Sequence, residues 1–132
     1  VIEEFIKGRE ITCGVISTDG EIKATPVAEV IPQDAEFYSH DAKSKSKYTT
    51  VAPASLSESL TAKCQRLSVK IFTLLGCSGA VRIDYRLRDD TFYFLEVNIT
   101  PGIAIGSIFP NQLEAMGIKT GDLLSELIAE MT

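Results

Sequence analysis

Two strand-like runs, AVRIDYRL at residues 80–87 and FYFLEVN at 92–98, constrain this chain more than any other stretch. Alternate residues of a strand share a face, so Arg82, Asp84 and Arg86 lie on one side of the first run. By the same rule Phe92, Phe94, Glu96 and Asn98 share a side of the second. If the polar positions coincide, Asp84 stands opposite Glu96 and Arg82 opposite Asn98, with 89–91 as the loop. Directly opposed residues have Cβ atoms roughly 4.5–5.5 Å apart, where like charges repel. Two carboxylates so placed ask for a hard divalent ion, Mg2+ or Mn2+, held by Asp84, Glu96 and the Asn98 carbonyl oxygen. An incompletely filled oxygen shell leaves room for phosphates, and Arg82 is placed to meet negative charge on a transferring group. The same residues also read as a solvated face of cross-strand ion pairs, and a one-residue slip would separate the carboxylates.

The rest of the pattern predicts an α+β domain with a mainly antiparallel sheet packed against helices. Val1 to Ile6 reads as a strand, Lys7-Gly8 as a turn and Glu10 to Ser17 as a second strand. Thr18-Asp19-Gly20-Glu21 is a turn, and Ile22 to Ile31 is a third strand interrupted near Pro26. Residues 32–54 lack periodicity and carry three lysines and His40, the only histidine. A loop of that length inside a compact domain is usually functional or disordered. A helix follows: Ser55 and Glu58 form a capping box, and Leu56, Leu60, Cys64, Leu67, Ile71 and Leu74 recur at helical spacing before Gly76. Asn111 to Met116 predicts a short helix, and Thr120 caps a last one.

With 132 residues the chain makes one domain, 1–132, with a real core. It begins at Val1 in strand-like sequence without a Met, which points to further chain upstream. A net charge of −5 argues against nucleic acid or an anionic membrane as partner. No apolar run approaches the ~18 residues of a membrane span. Cys13, Cys64 and Cys77 are widely spaced among apolar residues, so they read as reduced structural thiols of a cytoplasmic protein.

RIDYRL, then FLEVNITPGI and GSIFP, resemble the C-terminal half of the D-alanine–D-alanine ligases, which are ATP-grasp enzymes. EEFIKGREITCGVI near the start and FYSHDAK in the long loop agree in order and spacing, so the resemblance covers essentially the whole chain. It implies an ATP-grasp C-terminal subdomain with ATP and Mg2+ (or Mn2+) as cofactors. Glu3, Phe5 and Ile6 match the segment that holds adenine, and Glu10 matches the carboxylate that binds the ribose hydroxyls. Leu95 would pack on the adenine, and Lys43 matches the loop lysine near the terminal phosphate. Asp84, Glu96 and Asn98 match the magnesium ligands, with Glu96 bridging two ions. Arg82 and the Gly102 N–H match the groups that stabilise acyl transfer, and Ser107 with the Ile108 N–H the contact to the second amino acid's carboxylate.

The implied activity is ATP-dependent joining of two D-alanines through a D-alanyl phosphate, for peptidoglycan precursor synthesis. The family's N-terminal substrate domain and most of the other ATP-grasp subdomain are absent, so the fragment by itself is expected to be inactive and to bind nucleotide weakly. The full-length protein is expected to be a homodimer. His40 and Ser44 stand where the family's loop often carries tyrosines. His40 marks either an altered second substrate, D-serine or D-lactate, or an ordinary solvated histidine. The alternatives are a related ATP-grasp ligase using D-serine, D-lactate or another acceptor, and a non-catalytic ATP-grasp-like module, against which the retained Arg82, Asp84, Glu96 and Asn98 speak.

Overall fold

The computed structural model describes residues 2–32 and 48–131. The chain runs β1 (Arg9–Thr18), β2 (Glu21–Ala24), β3 (Ala28–Pro32), β4 (Tyr48–Val51), α1 (Glu58–Leu74), β5 (Ala80–Arg88), β6 (Thr91–Asn98), α2 (Ile108–Ala115) and α3 (Thr120–Glu130). The sheet order is β4-β3-β1-β5-β6, with β2 also paired to β1, and every pairing is antiparallel. No described helix is long and apolar enough to cross a membrane.

β1 is the centre of the sheet, and six consecutive residues of it, Ile11 to Ile16, are buried. Both of its faces are covered. Ile11, Cys13 and Val15 join Val81, Ile83, Tyr85 and Leu87 of β5 in a core closed by Cys64 and Phe72 of α1. Within it Tyr85 shares a 2.8 Å hydrogen bond with Ser68, and burial raises the phenol's pKa. On the opposite face Ile16 packs with Phe109, Leu113 and Leu123 of α2 and α3. Gly14 makes that second layer possible: a Cβ there would lie 2.7 Å from the Phe109 ring and 2.9 Å from Thr25. Gln112 is fully buried and its amide donates to the carbonyls of Thr12 and Pro26, both at 3.0 Å, tying α2 to β1.

The β5–β6 pairing places Arg82 opposite Asn98 and Asp84 opposite Glu96, as expected, but by a different route. The loop is two residues, with Asp89 at φ 48° and Asp90 at φ 58°, the left-handed pair that a tight I′ hairpin turn requires. Aspartate tolerates that region because its short side chain bonds locally. A bulge between Phe94 and Glu96 then takes up the odd residue, Leu95, and resets the register. Phe92 and Phe94 therefore do not share a face with Glu96 and Asn98. They stack edge-on against Tyr85, at 5.7 and 6.5 Å between ring centres, on the α1 side.

Other boundaries differ from the expectation. Residues 2–7 form no strand. The strand expected over 22–31 is two, β2 and β3, with Pro26 between them. β4, unforeseen, pairs with β3 inside the stretch read as loop. Ser57 caps α1 in place of Ser55, accepting the Leu60 N–H at 3.3 Å, while the Ser55 carbonyl accepts from Arg9 at 2.9 Å. α1 buries Cys64, Ser68 and Phe72, and Leu74 stays exposed at its end. α2 starts at Ile108, because Pro110 falls in the first turn, where its missing N–H costs nothing. Lys119 is the cap of α3, and Thr120 its first residue.

Two expectations about stability follow. Gly14→Ala should destabilise the protein by about 1–3 kcal/mol through the forced shift of Phe109, read by thermal or urea unfolding. Deleting Leu95 should cost at least ~3 kcal/mol, because either Glu96 and Asn98 or Phe92 and Phe94 must turn to the wrong face. Leu95→Ala, which keeps the register, should cost less than about 1.5 kcal/mol.

Candidate functional site

The face of the sheet that carries α2 and α3 is only partly covered by them. β1 contributes Glu10, Thr12 and Gly14 to this face, opposite Arg86, Asp84 and Arg82 of β5 respectively. β6 adds Glu96 and Asn98 beyond the bulge. Where the helices stop, a cleft of about 350 Å3 opens, lined by Glu3, Glu10, Asp84, Arg86, Leu95 and Glu96. A larger hollow of about 480 Å3 lies between α1, β2 and the end of α2, but Lys23, Ala24, Gln65, Arg66, Val69 and Met116 bring no carboxylate to it.

The charges in the cleft are arranged in two sets. Arg82 forks onto Asp84, Nε to Oδ1 at 2.8 Å and Nη2 to Oδ2 at 2.7 Å, with both side chains largely buried. The hydrogen bond to Asp84 raises the Arg82 pKa, with the charge of Glu96 adding to it, so the guanidinium stays charged throughout. Glu96, directly across from Asp84, has no hydrogen bond or ion pair among the described residues. At the other end, Arg86 Nη2 lies 3.1 Å from Glu10 Oε2.

No cluster of three or more His, Cys, Asp or Glu able to hold a metal exists among the described residues. The candidate set is two carboxylates and an amide oxygen, and its chemistry fits a hard cation that keeps water or phosphate oxygens in its shell. Each Asp84 oxygen has a second lone pair beyond the one its arginine bond uses. The Asn98 Oδ1 accepts the Thr100 N–H at 3.0 Å, a local turn that sets the chain toward Pro101-Gly102, and likewise keeps one lone pair.

The structure thus gathers Glu3, Glu10, Leu95, Asp84 and Glu96 in one cleft, beside Arg82 and Asn98. Phe5, 78% exposed, and Ile6 do not line it. Gly102 sits against Ser107, whose Oγ would be 3.6 Å from a Cβ at the glycine. Ser107 is the N-cap of α2 but its side chain makes no capping bond, and Ile108 is the first helical residue. The first N–H groups of a helix have no partner within it, so this corner offers a hydroxyl and backbone donors to an anion. Lys43 and His40 lie outside the described residues. Arg86 is the site residue that sequence reasoning passed over. It was visible on the polar face of β5, but its pairing with Glu10 depends on the β1–β5 register, which no local pattern encodes.

The sequence model of the family described as "D-ala D-ala ligase C-terminus" matches residues 1–129. A D-alanine--D-alanine ligase of Bacteroides fragilis is 37% identical over 129 residues, covering 97% of this chain and 40% of the relative. Among solved structures, the D-alanine-D-alanine ligase from Coxiella burnetii aligns with a TM-score of 0.80 at 32% identity, covering 96% of this chain and 32% of that one. The Bacillus anthracis ligase complexed with ATP aligns at 0.77 and 30%, covering 96% and 40%. The chain spans about 40% of the length of the curated relatives it matches. With an antiparallel sheet and helices matching those structures, it has the ATP-grasp C-terminal fold and belongs to the D-alanine–D-alanine ligase family, to whose C-terminal region it corresponds.

Proposed function

We propose that this chain is the catalytic C-terminal part of a longer, ATP-dependent ligase that joins two D-alanines in the cytoplasm for peptidoglycan precursors. The remainder supplies an N-terminal substrate domain and the other half of the ATP clamp, and the full-length protein is a homodimer. The observation that carries this reading is the register: Asp84 faces Glu96 at one end of a cleft whose other lining residues include Glu3, Glu10 and Leu95. A solvated ion-pair face would not set Glu96, without a hydrogen bond or ion pair among the described residues, opposite a second carboxylate.

In this reading Glu3 and Leu95 hold the adenine, with Phe5 and Ile6 on the adjoining segment, and Glu10 accepts from the ribose hydroxyls. Mg2+ held by Asp84, Glu96 and Asn98 would supply charge neutralisation to the phosphate oxygens. A carboxylate oxygen of the first D-alanine attacks the γ-phosphorus of ATP and the bond to ADP breaks. The amine of the second D-alanine, having lost a proton, then attacks the acyl carbon, and phosphate leaves. Both steps gather negative charge on oxygen. Arg82 and the Gly102 N–H are placed to meet it, with Lys43 on the terminal phosphate. Ser107 and the Ile108 N–H hold the carboxylate of the second D-alanine at the start of α2. No nucleophilic side chain is needed.

The test is acceptor-dependent phosphate release by the full-length protein. D-alanine should be the productive acceptor; turnover with D-serine or D-lactate but not D-alanine would overturn the assignment. Asp84→Ala and Glu96→Ala should each lower turnover at least about 10²-fold while circular dichroism and cooperative unfolding stay near wild type. Near-normal turnover in either variant would remove that residue from the site.

A further inference from the structure

Among the described residues that line the cleft, Arg86 is the one with a positive charge, against the four carboxylates of Glu3, Glu10, Asp84 and Glu96. It stands on β5 two residues beyond Asp84 and directly across from Glu10 on β1. Both of its terminal nitrogens are engaged at that end: Nη2 lies 3.1 Å from Glu10 Oε2, and Nη1 donates to the Gly8 carbonyl at 3.4 Å. The guanidinium is therefore anchored to the backbone that leads into β1 as well as to the carboxylate. Glu10 is held by one oxygen only, and its Oε1 has no hydrogen bond among the described residues. The neighbouring Arg82 holds Asp84 instead, through Nε and Nη2.

As a contribution to folding, a half-exposed pair of this kind is worth little. Its value lies in preorganisation. A glutamate with free torsions must be ordered before it can accept from a ligand, and a rigid guanidinium that already fixes one oxygen removes much of that cost. A carboxylate presented with one oxygen held and the other open suits a sugar hydroxyl donor.

We propose that Arg86 is a positioning residue for the nucleotide's ribose, acting through Glu10 and not by contact with the phosphates. This rests on the nucleotide reading of the cleft. Its test is binding of ATP and of 2′,3′-dideoxy-ATP to the full-length protein, in the wild type, Arg86→Gln, Glu10→Gln and the double variant. Arg86→Gln should weaken ATP binding about tenfold, the scale of ordering one free side chain at the moment of binding. The double variant should bind no worse than Glu10→Gln, because the two residues act as one unit. Dideoxy-ATP, lacking the sugar hydroxyls, should bind all four proteins alike, a result that general damage to the fold would not produce. Arg86→Lys, which keeps the charge without the fork, should recover part of the ATP affinity. If Arg86→Gln weakens ATP and dideoxy-ATP equally, or leaves ATP binding unchanged, the proposal is overturned. If the wild type binds no ATP, the nucleotide reading itself falls and takes this one with it.

Discussion

Asp84 and Glu96 face each other across two hydrogen-bonded strands, and the local architecture is organised around keeping them there. A regular hairpin with the two-residue Asp89-Asp90 turn would pair Asp84 with Leu95. The bulge at Leu95 corrects this by one residue, so the aromatic half of β6 faces the α1 core and the polar half faces the cleft. A bulge forfeits regular ladder bonding and bends the strand. Here that cost is what lets a single strand serve a hydrophobic core at one end and a polar site at the other. The conflict between burying Phe92 and presenting Glu96 is settled by covalent count, not by side-chain rearrangement.

The second requirement is a floor that does not move. β1 supplies it because it is buried on both faces, between α1 and the α2–α3 layer. Glu10 and the neighbours of Asp84 and Arg82 all project from this strand or face it in register. Thr12, paired with Asp84, is buried with a hydroxyl that has no partner among the described residues, and the same holds for the side-chain oxygen of Gln112. Leaving such groups unpaired costs about 1–3 kcal/mol each, so the packing of α2 onto this strand outweighs a real penalty.

Much of this was legible in the residues, for identifiable reasons. β5 alternates strictly between apolar and charged positions, which fixed its faces and its partner. The long helix was marked by period and by serine caps, although Ser55 and Ser57 are equivalent to a pattern and only the Arg9 contact to the Ser55 carbonyl separates them. The bulge was not legible, because Leu95 is neither glycine nor any other residue that advertises irregular backbone. The run VIEEFI at 1–6 reads as a strand by composition, but composition does not provide a neighbouring edge for residues 2–6 to pair with. β4 failed in the opposite sense: YTTV is too short to stand out, and its existence depends on the free edge of β3. Of the site, the carboxylates were readable from one hairpin. The Arg86–Glu10 pair required two distant segments to be placed side by side.

Gln112 uses both of its donors on backbone carbonyls, one from β1 and one from the segment after β2. With Phe109 seated over Gly14, this makes α2 and the sheet a single rigid body. The start of α2 and the floor beneath Arg82 are then separated by a fixed span, set by packed backbone and not by the conformation of the Pro101-Gly102 loop. A molecule that reaches from one to the other is measured against that span: too short and it loses an anchor, too long and it must buckle. The distance between the start of α2 and the polar floor of the sheet is thus set by the fold before anything occupies the cleft.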